Sequence, residues 1–367
     1  MKKPIYIFGA HSRARTTAEY IMTLEPATKV VGFLVSNDEV NPDNIRGIPV
    51  IDINDECELD SDCTVYIGTR GEHWEHISSL LQAKGFTNII PVNVELDLRL
   101  RNAYLKQYFE KKGQEFNKLS ELPSPSDNKK ARVIVFTMSS VYDGEVETPY
   151  KLNDYEEPMQ VGTELSDRIL DSVYGKKVIF YDNDIADNIS KLNRQFCELT
   201  GLYAIWKMDK SDMDYVGCCH YRRHFILPDN WGKIAASNDV DVILPVPLYV
   251  DPSLDENYRL RHIGSDLDYV YDYVEEHYSE MIVPMRKFFS QGLYSPCNML
   301  IARAEVYDKL CEWLFPILFS IQEKVGWRED RYQNRYPGFI SERLISFFFE
   351  YNRDKYKRVF ADKMFIK

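Results

Sequence analysis

Two adjacent arginines stand between two histidines in His220-Tyr221-Arg222-Arg223-His224, directly after the apolar run from Asp214 to Cys219. Guanidinium groups are planar, stay protonated and match phosphate oxygens in a fork, so paired arginines can hold a di- or triphosphate. A strand ending in such a turn delivers that charge to the carboxyl edge of a sheet, where open α/β folds bind ligands. The same residues also read as surface arginines tied to nearby carboxylates.

Positioning that turn requires a sheet, and the surrounding sequence supplies its strands. Ala131 to Thr137 predicts the first buried strand of an α/β domain, ending in Thr137-Met138-Ser139-Ser140, a polar loop suited to contact a nucleoside. A helix is expected over 162–170, a strand over 177–181, and a polar loop over 182–188. Phe196, Leu199, Leu202, Tyr203 and Trp206 then recur at helical spacing, which predicts one helix over 193–207. Strands follow at 214–219 and 240–244, and the last third reads as helices over 266–276, 281–289, 304–324 and 338–351. Upstream, residues 4 to about 95 alternate strand and helix, the pattern of a small parallel-sheet domain. Its opening turn, Gly9 to Ala14, keeps one glycine of a dinucleotide fingerprint, so NAD is not expected there. The organisation predicted is an N-terminal domain over 1–95, a helix and Pro/Ser-rich linker over 96–130, and a second domain over 131–367.

The 367 residues suffice for two packed domains. Seven cysteines without CxxC pairs or zinc-like spacing point to a reducing compartment rather than a disulfide scaffold. No apolar run reaches about 18 residues, so a soluble, cytoplasmic protein is expected. With 45 basic against 57 acidic residues the net charge is −12, which excludes broad nucleic-acid binding and makes any phosphate recognition local. The chain carries 25 Tyr, 19 Phe and 5 Trp, material for sugar-stacking faces or for an ordinary core. The C-terminal stretch from Tyr351 mixes basic and aromatic residues and reads either as a tail resting on anionic lipid or as a solvated helix end.

The N-terminal segments GFL, GIPVI, YIGTRGEHWEHI and GFTNIIPV resemble the Rossmann-like domain that precedes the left-handed helix of bacterial sugar O-acyltransferases. No hexapeptide repeat follows them, so a scaffolding or oligomerisation role is expected in place of acyl transfer. From Met159 onward, MQVG, DNISKLNRQFCELTGLYAIWK, DYVGCCHYRRHF, DVILP, CNMLIARAEVYDKLCEWLFPIL and GFISERL resemble a bacterial glycosyltransferase family of capsule and exopolysaccharide gene clusters. That family was long catalogued as a domain of unknown function, and its characterised relatives are similar to galactofuranosyltransferases. The resemblance covers about residues 131 to 360. It implies a GT-A-like nucleotide-sugar-binding domain with a helical C-terminal part, and inverting transfer of a sugar such as galactofuranose from a UDP donor. The acceptor implied is lipid-linked or an oligosaccharide, met at the inner face of the membrane. Two departures stand out: Thr137-Met138-Ser139-Ser140 replaces a His-Lys pair, and Asp182-Asn183-Asp184-Ile185-Ala186 precedes the retained Asp187-Asn188.

What the resemblance implies for individual residues is specific. Thr137, Gln160, Gly162, Asp187, Asn188, Asn193, His220, Arg222 and Arg223 are expected at the donor, and Asn298 and Arg343 at the acceptor. Arg222, helped by Arg223 or His220, would neutralise charge on departing UDP in place of a metal. The competing arrangement is a divalent cation on Asp182, Asp184 or Asp187, although such loops are often plain turns. Glu342 is the expected base for the acceptor hydroxyl, with Ser341 capping its helix; a first-turn glutamate favoured by the helix dipole is the alternative. His262 is expected to bind sugar or diphosphate, or to serve the structure. No cofactor beyond the donor is required on this reading. Two rival functions are a non-catalytic nucleotide-sugar-binding scaffold and a sugar-modifying acyltransferase or oxidoreductase.

Overall fold

The computed structural model describes residues 3–36, 40–55, 58–124 and 131–367, and the chain divides into two compact units after Phe116. In the first unit, strands β1 (Lys3–Phe8), β2 (Thr28–Val35), β3 (Asn44–Ile45), β4 (Ile48–Asp52), β5 (Thr64–Ile67) and β6 (Ile89–Pro91) form one sheet in the order β3-β4-β2-β1-β5-β6. Its pairs are parallel except for β3 with β4. Side chains alternate across a strand, so Ile5 and Ile7 pack with Ala14, Ala18 and Ile21 of α1 (Ser12–Leu24) on one face. Tyr6 and Phe8 pack with Ile77 and Leu81 of α2 (Trp74–Ala83) on the other. At Gly68 an added Cβ would lie 2.7 Å from the Ala14 Cα, so only glycine lets α1 approach this closely. Helix α3 (Val94–Lys111), capped by Asn93 Oδ1 accepting from Leu96 N–H at 2.8 Å, completes this unit; the part of the expected linker over 125–130 lies outside the described residues.

The second unit starts at Asn117. Lys118 pairs with Asp362 at 2.7 Å, which ties the start of this unit to its C-terminal strand. Strands β7 (Val133–Ser139), β8 (Glu156–Gln160), β9 (Phe180–Tyr181), β10 (Tyr215–His220), β11 (Arg223–Ile226), β12 (Val242–Pro245), β13 (Leu300–Arg303) and β14 (Arg358–Phe365) form a mixed sheet in the order β9-β8-β7-β10-β11-β14-β12-β13. A further antiparallel pairing joins β10 to β13. Under it lies a core of Val135, Tyr215, Cys219, Phe225, Trp231, Ile243, Ile301 and Val359. The helices are α4 (Asn193–Phe196), α5 (Leu199–Lys207), α6 (Trp231–Ser237), α7 (Leu254–Arg261), α8 (Ser265–His277), α9 (Ser279–Phe289), α10 (Ala304–Val325) and α11 (Tyr336–Tyr351).

Four expectations are corrected. The helix over 162–170 is a single 3-10 turn at Thr163–Leu165, because the Gln160 side chain bonds the Arg168 carbonyl and the Leu170 N–H and so replaces helical bonds. The strand over 177–181 is split: Lys176–Lys177 pairs in a two-stranded hairpin with Ser172–Val173, and only Phe180–Tyr181 joins the main sheet. The helix over 193–207 breaks at Cys197, whose φ of +50° no α-helix accommodates. The basic, aromatic C-terminal stretch is mostly a strand: after the end of α11 at Tyr351, β14 lies inside the sheet, antiparallel to β11 and parallel to β12. Among the described residues, no helix is long and apolar enough to cross a membrane.

Candidate functional site

Strands β7 and β10 run parallel with Thr137 beside Cys219 and Met138 beside His220, so their carboxyl ends open at the same place. Ser140, Tyr142 and Asp143 follow the first strand, and Tyr221 and Arg223 follow the second; together they line one side of a cleft of about 680 Å³. The other side comes from Asn193, Arg194, Cys197 and Glu198 around the break between α4 and α5, and from Trp327, Arg331, Asn334 and Arg335 in the turn before α11. Four arginines and two carboxylates thus face this space. A chain of net charge −12 has concentrated positive charge where two strands end, the electrostatics of an anion site.

The carboxylate at the base of the cleft is Glu198, held by Asn298 Nδ2 at 3.0 Å and standing 3.8 Å from His220 Nε2. Burial pushes its carboxyl up, but His220, the Asn298 amide and Arg335 outweigh that and hold it below its ordinary value. His220 is held below a usual imidazole: burial lowers it, the Glu198 carboxylate opposes that, and Arg223 adds to the fall. Glu342, half-buried and not among the lining residues, has Oε1 accepting from the Cys297 N–H at 3.0 Å. Burial pushes Glu342 up to about 7, Glu198 adds to the rise, and Arg343, the Cys297 N–H and Arg223 oppose it.

Of the residues singled out from sequence, Asn193, His220 and Arg223 line the cleft. Arg222 does not line the cleft itself: its guanidinium donates to the Glu145 carbonyl at 2.6 Å, sits over the Tyr221 ring and acts on the cleft carboxylate Asp143 from behind. Thr137 is buried against Glu156, and Gln160 is spent on the 168–170 backbone. Asn298 is 2 % exposed and holds Glu198, the Gly338 carbonyl and the Ser341 hydroxyl, so its amide orients a carboxylate and α11. Ser341 lies inside α11 instead of capping it, which also removes Glu342 from the first turn. Arg343 is buried, donates to the Phe339 carbonyl and lies between the Tyr258 and Tyr294 rings, bracing α11. His262 stacks on Phe339 and Tyr332; burial, with Arg343 and Arg261, lowers it to about 4, so it carries no charge for a diphosphate near neutrality.

Gly162 contributes through its backbone. Its φ is +69° and an added Cβ would come within 2.7 Å of Asn193 Oδ1, on the cleft wall. Gly162→Ala is expected to destabilise the protein by roughly 1–3 kcal/mol and displace Asn193. A lowered thermal midpoint checks this.

The acidic loop expected as an alternative metal site is committed to the backbone. Asp182 accepts from Gly162 N–H at 2.6 Å, Thr163 N–H at 3.2 Å and the Ser190 hydroxyl at 2.6 Å. Asp184 accepts from Tyr181 N–H, Asp187 takes Tyr203 and Lys207, and Asn188 bonds Ile185 and Ser190. These carboxylates do not present the free, converging oxygens a hard cation needs. Among the described residues, buried Glu156, Cys219 and His224 do lie close enough to share an ion. Glu156, however, already accepts from His224 Nδ1 at 2.6 Å, the Asn153 N–H and the Tyr150 hydroxyl, a closed network tying β8 to β11.

Sequence reading missed Glu198, Arg194, Arg331 and Arg335. A glutamate at the head of an apolar helical stripe, and a turn dense in arginines before Pro337, were the available signals.

A family described as a domain of unknown function (DUF4422) matches residues 145–353, more than half of the chain. No curated protein matches. Among solved structures, the apo form of the bifunctional glycosyltransferase WbbM is similar at 24% identity and a TM-score of 0.53, over 64% of this chain and 45% of that one. The likeness extends to a shared fold, and the chain spans less than half of that protein's length. Core-mannan synthase A from Aspergillus fumigatus, in an Mn/GDP form, gives 11% identity and a TM-score of 0.28 over 64% of this chain and 74% of that one, too slight a likeness to carry an argument.

Proposed function

We propose that this chain, which belongs to the DUF4422 family, is a glycosyltransferase that uses a nucleoside-diphosphate sugar. The observation that carries the reading is the cleft at the ends of β7 and β10, where Arg194, Arg223, Arg331 and Arg335 converge. The fold shared with part of a bifunctional glycosyltransferase agrees with it. Arg223 and Arg335 meet the diphosphate and take up charge as the anomeric carbon–oxygen bond to UDP breaks. The acceptor hydroxyl attacks that carbon from the opposite face and gives its proton to Glu342, whose raised pKa suits a base working near neutrality. Glu198 supplies the negative charge that helps keep Glu342 basic, and Asn298 fixes Glu198 in place.

UDP-galactofuranose is the first donor to try, followed by other UDP-hexoses, and an oligosaccharide or lipid-linked acceptor follows from the same reading. Peripheral membrane contact and self-association belong to it as well. The test is UDP release from such donors by the purified protein. Activity is expected to survive EDTA, because the 182–188 carboxylates are occupied by loop hydrogen bonds. Complete loss on chelation, restored by Mn²⁺, would assign the diphosphate to a metal. Absence of any UDP release across the donor panel would favour a binding scaffold over an enzyme.

A further inference from the structure

Trp327 lines the cleft while remaining 61 % exposed. An exposed indole face on a cleft wall is free to stack on a ligand, and here the backbone around it is fixed. On one side, the Gly326 carbonyl accepts from Gln195 Nε2 at 2.8 Å and the Tyr336 hydroxyl at 3.0 Å. On the other, Arg328 N–H donates to Asn334 Oδ1 at 2.9 Å, and the Arg328 guanidinium forks onto Asp266 at 2.7 and 2.5 Å. Gln195, Asn334 and Asp266 are all buried, so the indole stands on a turn anchored to the interior. Such pre-ordering removes the entropy cost of fixing the turn when a ligand arrives.

The turn also offers Arg331 to the cleft, a donor beside an aromatic face. An apolar ring face flanked by hydrogen-bond donors suits a pyranose, whose C–H face packs on the indole while its hydroxyls reach the donors. A nucleobase could also stack there. The position favours a saccharide: the turn leads directly into α11, which carries Glu342, whereas the nucleotide side of the cleft is built from the strand ends at Met138, Ser140 and His220. We propose that Trp327 is the stacking platform of a saccharide subsite that receives the acceptor. The word acceptor rests on the glycosyl-transfer reading; the saccharide subsite itself does not.

The test is saturation-transfer difference NMR on the full chain, wild type, Trp327→Ala and Trp327→Phe. The probes are the methyl glycosides of β-galactopyranose, α-mannopyranose and α-rhamnopyranose, with UDP affinity measured in the same samples. The expected result is ring-proton saturation of at least one glycoside by wild type, weakened roughly tenfold in Trp327→Ala and retained within about twofold in Trp327→Phe, with UDP affinity equal in all three. No saturation by wild type, equal saturation in Trp327→Ala, or a loss of UDP affinity in Trp327→Ala would each overturn the subsite. UDP release from a donor sugar, followed in parallel, reads the transfer reaction separately. Its absence in wild type would defeat the enzymatic reading while leaving a glycoside signal that depends on Trp327 as evidence for the subsite.

Discussion

Glu342→Gln is expected to abolish sugar transfer, lowering kcat by about 100-fold or more, while UDP affinity stays near that of wild type. The amide keeps the shape and can still accept from the Cys297 N–H, but it cannot take a proton. In wild type, kcat/KM is expected to rise with pH along an acid limb whose midpoint lies near 7, where Glu342 becomes ionised. Glu198 contributes to that high value through its charge, so Glu198→Gln is expected to move the limb to lower pH. An unmoved limb would detach Glu198 from the base. Stability carries a second signature with a definite sign. A carboxyl raised in the folded state contributes stability that is complete below its unfolded value of 4.5 and lost as pH rises through about 7. Glu342→Gln is therefore expected to be more stable than wild type at pH 8, by up to about 3 kcal/mol, and to lose that advantage near pH 4.5. Denaturant titrations at the two pH values check this independently of activity.

Arg223→Ala is expected to weaken UDP binding about 10- to 100-fold, the loss of one charge-assisted contact to phosphate. Arg222→Ala is expected to change it by less than about threefold, since that guanidinium serves the Glu145 carbonyl. Calorimetry on the two variants separates neighbours that sequence alone makes equivalent. Reversal of the two effects would return the diphosphate to Arg222. The affinity of wild type should also fall with salt, because charges around an open cleft are partly screened.

The comparison between these arginines shows what the sequence made legible and what it did not. An apolar strand followed by a cationic turn was readable because both signals are local, and the structure places that turn at the cleft. Which arginine faces the cleft depends on the turn: Tyr221 and Arg222 form it, and Arg223 opens β11. Residue type does not encode that choice. Glu198 was hidden because the apolar stripe from Phe196 to Trp206 predicts one helix, whereas the left-handed Cys197 breaks it beside Glu198. Asn298 and Arg343 have the chemistry of ligand-binding residues but lie inside, where Glu198, Gly338 and Phe339 use their hydrogen bonds. In the C-terminal stretch, Arg358, Lys363 and Lys367 masked the apolar Val359, Phe360 and Ala361 that make β14 a sheet strand. In the N-terminal unit the strand and helix alternation was legible because each element there buries a face against its neighbours in sequence.

A crystal structure of the protein bound to UDP tests the cleft most directly. The diphosphate is expected within hydrogen-bonding distance of Arg223 and of at least one of Arg194, Arg331 and Arg335. A diphosphate held through a cation on Asp182, Asp184 or Asp187, or lodged away from the ends of β7 and β10, would contradict the account.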